Sequence, residues 1–267
     1  MGLKLTKEQM RKFRRIIEKR IAEIVRESKS KGVVLGVSGG IDSSVVLKLA
    51  SESVDDVYAL IMPERGLTKR RDVEDAINLS RELNVMYEVI EINPILNSII
   101  NEFPWNKFDT DEIGKIVSIG NVKARIRMIL LYLVANIDNR IVLGTGNKTE
   151  MLLGYGTKHG DLACDIKPIG DLYKTQVMQF AEFLGIPRGI IEKEPSAGLW
   201  EGQTDEKELG ISYEIIDRIL YMIFEKNYEI EEVSDELEIP IDLVKNLDER
   251  IKRNEHKREL PTTVKLF

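Results

Sequence analysis

Residues 33–44 read VVLGVSGGIDSS, and this stretch decides the fold. The run Val33–Val37 is apolar and β-branched, which is typical of a buried parallel strand. Beyond the stretch, Val45, Val46 and Leu49 recur at helical spacing. A strand therefore passes through a short turn directly into a helix, which is the basic unit of an α/β fold.

The turn itself has the composition of a phosphate-binding loop. Gly39 and Gly40 permit backbone angles that a side chain would forbid, so successive amide groups can converge on an anion. The helix N-terminus that follows favours negative charge. Ser38, Ser43 and Ser44 add hydroxyl donors, and the segment therefore predicts a site for phosphate groups.

The loop is not a Walker A loop, because that pattern has a lysine directly after its last glycine and none follows Gly40. The loop carries Asp42 instead. A triphosphate would repel the Asp42 carboxylate unless the two share a cation, and Mg²⁺ prefers such oxygen ligands. The alternative is an ordinary strand-turn-helix junction in which Asp42 and Ser43 cap the helix.

The whole-chain composition excludes several classes of protein. The 267 residues suffice for one large α/β domain, and no apolar run approaches the roughly 20 residues of a membrane span. Without a signal-peptide core at the N-terminus, a cytoplasmic protein is expected. A single cysteine, Cys164, argues against disulfides and cysteine-based zinc sites. The net charge of −6 argues against sequence-independent nucleic-acid binding.

Further strands alternate with helices along the chain. The pattern predicts strands at Val57–Met62, Met86–Ile92 and Ile141–Leu143, and helices at 6–28 and Arg71–Leu83. This alternation indicates an α/β fold with a doubly wound parallel sheet flanked by helices, in which ligands bind beyond the carboxyl ends of the strands.

Residues 121–137 form a helix that is apolar on nearly every side. Such a helix is either central to a large core or packed against a partner. In a chain of this size the second arrangement is favoured, and a homodimer interface is expected here.

Residues 194–210 are polar and contain glycine, with Trp200 isolated among them. This composition predicts a mobile loop, which is either a plain connector or a lid over the active site.

A second glycine-rich turn, Gly144–Glu150, follows the strand Ile141–Leu143 and so lies on the same rim as the first loop. Facing a nucleotide, Thr145 would contact the adenosine portion and Glu150 would supply a second carboxylate to Mg²⁺. Taken alone, Glu150 would more often be an exposed residue in the first turn of a helix than a metal ligand; its pairing with the first loop favours the ligand.

The first loop resembles the signature of the N-type ATP pyrophosphatases, which adenylate an oxygen of their substrate and release pyrophosphate. The chain as a whole is similar to the ammonia-dependent NAD synthetases of that group. The strings that carry this second resemblance occur in the family's order: Gly36–Ser44, Gly120–Met128, Gly144–Glu150, Thr157–Asp161, Glu194–Ala197, Gly202–Glu206 with Glu208–Gly210, and His256 with Lys257.

The resemblance implies an adenine nucleotide alpha hydrolase-like fold in one domain over 1–267, with a helical C-terminal part from about residue 211. It implies a homodimer that amidates deamido-NAD to NAD with ATP and ammonia, Asp42 and Lys174 being catalytic. The implied ATP contacts are Gly36, Val37, Ser38, Gly39, Gly40, Ile41, Asp42, Ser43, Thr145, Lys174 and Ser196. The implied Mg²⁺ ligands are Asp42 and Glu150, and the implied deamido-NAD contacts are Arg125, Lys158, Asp165, His256 and Lys257.

Each basic residue in this set has an alternative as a solvated surface charge, notably Lys158 and Lys174. His256 and Lys257 lie in a basic C-terminal stretch that is either a solvated tail or a clamp on the substrate, formed within one chain or across a dimer. Ser196 stands where the family commonly has threonine, and the hydroxyl is retained.

Two other functions remain open. Another ATP pyrophosphatase, such as the synthetase half of a GMP synthetase or a tRNA thiolase, shares the loop but matches the later strings less well. Alternatively, residues 230–253 read as a helix-turn-helix that ends in basic residues, as in a nucleic-acid-binding protein. The acidic residues of that segment oppose phosphate contact. A glutamine-hydrolysing enzyme would need a further amidase domain, so free ammonia is the expected nitrogen donor.

Overall fold

A four-stranded parallel sheet forms the centre of the computed structural model, which describes residues 2–200 and 202–266. The strands follow the spatial order β3-β2-β1-β4, and each pair of neighbours runs parallel. Their bounds are β1 Gly32–Gly36, β2 Val57–Ile61, β3 Met86–Val89 and β4 Arg140–Leu143.

Helices connect the strands and complete the C-terminal part. In the described part of the chain they are α1 Lys7–Ser28, α2 Ile41–Ser53, α3 Arg70–Glu82, α4 Asn93–Glu102, α5 Glu112–Asp138, α6 Lys148–Leu153, α7 Lys174–Leu184, α8 Arg188–Ile191, α9 Asp205–Leu209, α10 Tyr213–Lys226, α11 Ile230–Leu237 and α12 Ile241–Arg253, with single 3₁₀ turns at Trp105–Lys107 and Glu255–Lys257.

Helices cover both faces of the sheet. Side chains alternate along a strand, so Val33 and Leu35 face one side and Val34 faces the other. The first side is packed with α1, α2 and α7, and the second with α4 and α5. The expected doubly wound α/β architecture is confirmed.

The order of the strands fixes where a ligand crevice opens. From β1 the chain winds outward through β2 to β3, and it then returns to place β4 on the opposite side of β1. The helix after β1, α2, and the helix before β4, α5, lie on opposite faces of the sheet, so a ligand crevice is expected at the carboxyl edge of this switch point. The two glycine-rich turns therefore meet at the carboxyl edge of the sheet.

The C-terminal helices α10, α11 and α12 pack with α6 around a second apolar cluster. Val233 of α11 and Val244 of α12 are fully buried in it. The two helices that resemble a helix-turn-helix thus direct their apolar faces inward, onto the rest of their own chain.

Several element boundaries differ from those expected. The strand expected at Met86–Ile92 ends at Val89, although the amide of Ile90 still donates to Ile61 at the end of β2 and that of Ile92 to Pro63 beyond it. The apolar helix expected at 121–137 begins at Glu112, because Asp111 caps its first turn through the amide of Gly114. The segment expected to be a loop over 194–210 ends in the short helix α9.

α5 leaves an apolar stripe uncovered. Ile129, Leu133 and Ile137 are exposed along it, Ile137 to 77%. None of the helices in the described part of the chain combines the length and apolar composition needed to cross a lipid bilayer.

Phe180 tests the packing between α7 and the sheet. It is fully buried and stacks on Phe183 with ring centroids 6.0 Å apart. We expect Phe180→Ala to lower the free energy of unfolding by about 3–5 kcal/mol, because it removes apolar contacts and leaves a cavity. Urea denaturation measures this. The control Phe224→Ala, at a residue 42% exposed, should cost less than about 1 kcal/mol, and equal losses would contradict the assignment of Phe180 to the core.

Candidate active site

The loop after β1 is shaped by its close approach to α3. Gly39 has a φ of 79°, and a Cβ at this position would lie 2.1 Å from the carbonyl oxygen of Asp72. Only glycine satisfies both the backbone angle and the contact. The loop backbone is therefore held directly against the first turn of α3.

Hydroxyl groups organise the inside of the loop. The amide of Ser38 donates to Ser43 Oγ at 3.2 Å, and the two hydroxyls lie 3.1 Å apart. Gly40, not Asp42 or Ser43, is the N-cap of α2, and no side chain caps this end of the helix. The alternative in which Asp42 and Ser43 serve as helix caps is therefore wrong, and the start of α2 is free of a side-chain acceptor.

The other loop positions anchor the backbone. Gly36 lies beneath the side chain of Met62, with 3.2 Å between an added Cβ and that methyl group. The amide of Val37 donates to Leu60 and extends the strand pairing, and Ile41 is buried in the core below. These contacts fix the loop from the protein side and leave its outer side open toward the crevice.

Asp42 joins the two glycine-rich turns. Its Oδ2 accepts from Lys174 Nζ at 2.5 Å, and its Oδ1 accepts from Asn147 Nδ2 at 2.9 Å. Lys174 is the first residue of α7, and Asn147 is the N-cap of α6. The N-termini of three helices thus meet at one carboxylate.

Asn147 also holds the second carboxylate. Its side chain accepts from the amide of Glu150 at 3.0 Å, and its own amide donates to Glu150 Oε2 at 3.2 Å. Burial and the negative charge of Asp42 raise the pKa of Glu150 to about 8. Two carboxylates therefore flank one asparagine, and Thr145 is half-buried two residues before it in the same turn.

Lys174 is a buried cation at this site. It is 2% exposed, and its ammonium lies 5.4 Å from the centroid of the Tyr213 ring. Burial acts to lower the pKa of Lys174, but the charges of Asp42 and Glu150 outweigh burial and raise it. The lysine is therefore charged at neutral pH, and the alternative of a solvated surface lysine is wrong.

Asp205 completes the buried network and was not among the residues expected from the sequence. It accepts from Tyr213 Oη at 2.8 Å, from Tyr155 Oη at 3.0 Å and from the amide of Ala197 at 3.1 Å. Its string, Gly202–Glu206, carried part of the family resemblance, and this was the only sequence signal for it.

Four of the expected substrate contacts meet in a basic cluster. Arg125 donates to the carbonyl of Lys158 at 3.2 Å, and Lys158 Nζ donates to the carbonyl of His256 at 2.6 Å. Lys257 Nζ donates to the carbonyl of Gly154 at 2.7 Å. The basic C-terminal turn thus lies on the loop after α6 of its own chain.

The fifth expected substrate contact, Asp165, and the expected ATP contact Ser196 lie elsewhere. Asp165 accepts from the amide of Val142 at 2.8 Å and from Tyr132 Oη at 3.2 Å, so it lies beside β4 and α5. Ser196 donates to the carbonyl of Gln203 at 2.7 Å and shapes the irregular segment before α9.

Sequence comparison places this site in context. Residues 14–261 match the profile of the family described as NAD synthase. The NH(3)-dependent NAD(+) synthetase of Methanocaldococcus jannaschii is 48% identical over 258 residues, which cover 96% of this chain and 97% of that protein.

Solved structures show the same architecture. The NMN synthetase from Francisella tularensis aligns with a TM-score of 0.83 and 32% identity, covering 98% of this chain and 99% of that one. The NH3-dependent NAD synthetase from Campylobacter jejuni, in complex with the nitrate ion, aligns with a TM-score of 0.79 and 34% identity, covering 96% and 99%.

Gly39→Ala tests the fit of the loop against α3. The variant should lose more free energy of unfolding than Gly66→Ala, by about 1–3 kcal/mol, because only at Gly39 is strain combined with a steric overlap. Gly66 is a matched control, since its φ is 89° and an added Cβ would meet nothing within 4 Å. Urea unfolding of both variants measures the difference, and coincident curves would refute the close contact.

Proposed function

The chain belongs to the NAD synthase family, and from this premise we propose that it amidates deamido-NAD to NAD with ATP and ammonia. It is then a carbon-nitrogen ligase that releases AMP and pyrophosphate. The observation that carries the proposal is the buried ion pair of Asp42 and Lys174 at the N-terminus of α2, next to Glu150. A carboxylate beside a phosphate-binding loop requires cationic partners when a triphosphate binds.

The reaction needs no nucleophile from the protein. A nicotinate carboxylate oxygen attacks the α-phosphorus of ATP while the bond to the β-phosphate oxygen breaks, and that electron pair leaves with pyrophosphate. Ammonia then attacks the acyl-adenylate carbonyl, the bond to AMP breaks, and a proton is lost from nitrogen. The protein's task is alignment of the two substrates and stabilisation of developing negative charge.

Lys174 and the loop supply that stabilisation. The uncapped amides at the start of α2 are free to donate to phosphate oxygens, and the helix dipole favours the same anion. The Lys174 ammonium compensates negative charge on the departing pyrophosphate. Thr145 and Ser196 are proposed to contact ATP from the second turn and from the segment before α9.

Asp42 and Glu150 are the proposed ligands of Mg²⁺. The fit rests on the raised pKa of Glu150, whose carboxyl group resists ionisation because it is buried beside the negative charge of Asp42. A divalent cation bound to both groups would offset this repulsion and favour the ionised form of Glu150. When bound, the cation supplies positive charge shared between these carboxylates and the phosphates.

The basic cluster is the proposed site for deamido-NAD. Its substrate carries a pyrophosphate and a free carboxylate, which suit Arg125, Lys158, His256 and Lys257 as partners. Asp165 is proposed to contact the same dinucleotide from the β4 side.

Nicotinate mononucleotide is a second candidate acceptor, because the neighbour from Francisella tularensis is described as an NMN synthetase. Both acceptors present the same carboxylate and differ in the adenylate half. The relative at 48% identity, described as an NAD(+) synthetase, supports deamido-NAD as the first choice.

The use of ATP supports a cytoplasmic location.

A homodimer through α5 is also proposed. The exposed stripe of Ile129, Leu133 and Ile137 supports it, since a contiguous apolar face on a helix is stabilised by burial against a partner. The net charge of −6 opposes a nucleic-acid partner.

A product assay tests the function directly. The protein is incubated with ATP, Mg²⁺, ammonium and either deamido-NAD or nicotinate mononucleotide, and each substrate is omitted in turn. Equal amounts of NAD, AMP and pyrophosphate with deamido-NAD support the proposal. A higher kcat/KM with nicotinate mononucleotide would favour the second candidate, and orthophosphate with ADP would overturn both.

Asp42→Asn tests the role of the central carboxylate. The variant should lose at least about 100-fold in the rate of pyrophosphate release, because the neutral amide removes the negative partner of Lys174 and keeps only one of the two oxygens that accept from Lys174 and Asn147. The rate is measured at saturating Mg²⁺. Asp171→Asn is the control, since that carboxylate is an exposed surface partner of Lys148. Near-normal activity of the Asp42 variant would refute its role.

Leu133→Glu tests the dimer. Sedimentation at micromolar concentration should show a dimer for the wild-type protein and a monomer for the variant, because a charge in an apolar interface is not solvated. Lys12→Glu, which alters an exposed position of α1, is the control and should remain a dimer. A monomeric wild-type protein would remove the proposal.

A further inference from the structure

Lys193 is not among the site residues assigned above, yet it contacts the phosphate-binding loop. We propose that it is a positioning residue for ATP, which holds the loop against α3 and offsets the negative charge behind it. This inference rests on the proposed function, since it presumes that the loop binds ATP.

The Lys193 ammonium has three oxygen partners. Its Nζ donates to the carbonyl of Gly39 at 2.8 Å and to Asp72 Oδ1 at 2.7 Å, and it lies 2.6 Å from Asp75 Oδ2. The side chain is 18% exposed, so these partners take the place of most of its water. One cation therefore joins the loop backbone to two carboxylates of α3.

The hydrogen bond from Lys193 to the Gly39 carbonyl determines the shape of the loop. There the loop touches the Asp72 carbonyl with no room for a side chain. Lys193 bonds the Gly39 carbonyl and the Asp72 carboxylate together across the same contact. It thereby fixes the orientation of the Gly39 peptide, and with it the direction of the amides that follow.

The charge balance behind the loop also depends on Lys193. Asp72 and Asp75 lie three residues apart on α3 and face the rear of a loop that must accept anionic phosphates. The other nearby cation, Arg71, is 3.7 Å from Asp75 and 68% exposed, so solvent screens it more. Without Lys193, Asp72 would lose its salt bridge and Asp75 would keep only the pair with the exposed Arg71.

Lys193 further links the loop to the segment that carries Ser196. It lies three residues before Ser196, whose neighbour Ala197 donates its amide to the buried Asp205. One end of this segment is therefore tied to the phosphate loop and the other to the network around Lys174. Lys193 thus fixes the position of the Ser196 segment relative to the phosphate-binding loop, and both are proposed to contact ATP.

Steady-state kinetics of Lys193→Met tests the proposal. The KM for ATP should rise about tenfold or more, because the hydrogen bonds of a charged group to Gly39 and Asp72 are lost and the Asp72 carboxylate is left unpaired. The KM values for deamido-NAD and ammonium should change less than about twofold. Lys193→Arg, which keeps the charge, should bring the KM for ATP to within about threefold of wild type.

Two further variants separate charge from loss of structure. Lys48→Met is the matched control, since Lys48 forms a similarly shielded pair with Glu52 at 3.0 Å on α2, and its KM for ATP should not change. Adding Asp72→Asn to Lys193→Met should recover part of the lost ATP affinity, because the unpaired charge is removed. If Lys193→Met does not fold, Lys193→Gln serves in its place with the same expected rise.

The outcomes are distinct. A rise in the KM for ATP alone, with rescue by arginine, supports the positioning role. An unchanged KM for ATP, or an equal rise for all three substrates, overturns it. Wild-type protein that forms no NAD would instead refute the proposed function, whatever the Lys193 variants do.

Discussion

The ion pair between Asp42 and Lys174 is the interaction on which the rest of the site depends. Removing a buried charge from water is costly unless a partner with good geometry is present, and breaking such a pair leaves the other charge uncompensated. Asp42 lies in the first turn of α2 and Lys174 begins α7, and Asn147 at the start of α6 shares the same carboxylate. Three helix N-termini are thereby held at one point before any substrate arrives.

The buried pair of Asp42 and Lys174 gives a fold that is common to many functions its specific chemical character. The parallel sheet supplies only a crevice at the carboxyl edge, at the switch point between β1 and β4. We propose that the buried charges select what the crevice accepts, since uncapped amides, a charged lysine and two close carboxylates together suit a polyphosphate with a divalent cation. The basic cluster of Arg125, Lys158 and the C-terminal turn is the proposed extension of the site toward a second anionic substrate.

Much of the fold was predictable because its signals are local. The strand, turn and helix around Ser38–Ser44 follow from hydrophobic spacing and adjacent glycines, and the alternation of strands with helices indicates the parallel sheet. The start of α5 was missed because its cap, Asp111, precedes the apolar stretch. α9 was missed because polar, glycine-containing sequence was assigned to a loop.

The partners within the site were less predictable, because they are distant in sequence. Asp42 contacts Asn147 across 105 residues and Lys174 across 132, and Lys193 contacts Gly39 across 154. Residue type also misleads, since most lysines are solvated, whereas Lys174 is buried beside Tyr213. Asp205 had no distinctive local pattern, and only folding shows that two tyrosines and an amide converge on it.

The central claim is that the acceptor carboxylate attacks the α-phosphorus of ATP held by the Ser38–Ser44 loop. The most direct test uses deamido-NAD in which both carboxylate oxygens are ¹⁸O, with mass spectrometry of all products. Attack at the α-phosphorus places one ¹⁸O in AMP, one in the amide of NAD and none in pyrophosphate. Unlabelled AMP, or label in pyrophosphate or orthophosphate, would instead place the attack at another phosphorus and refute this mechanism.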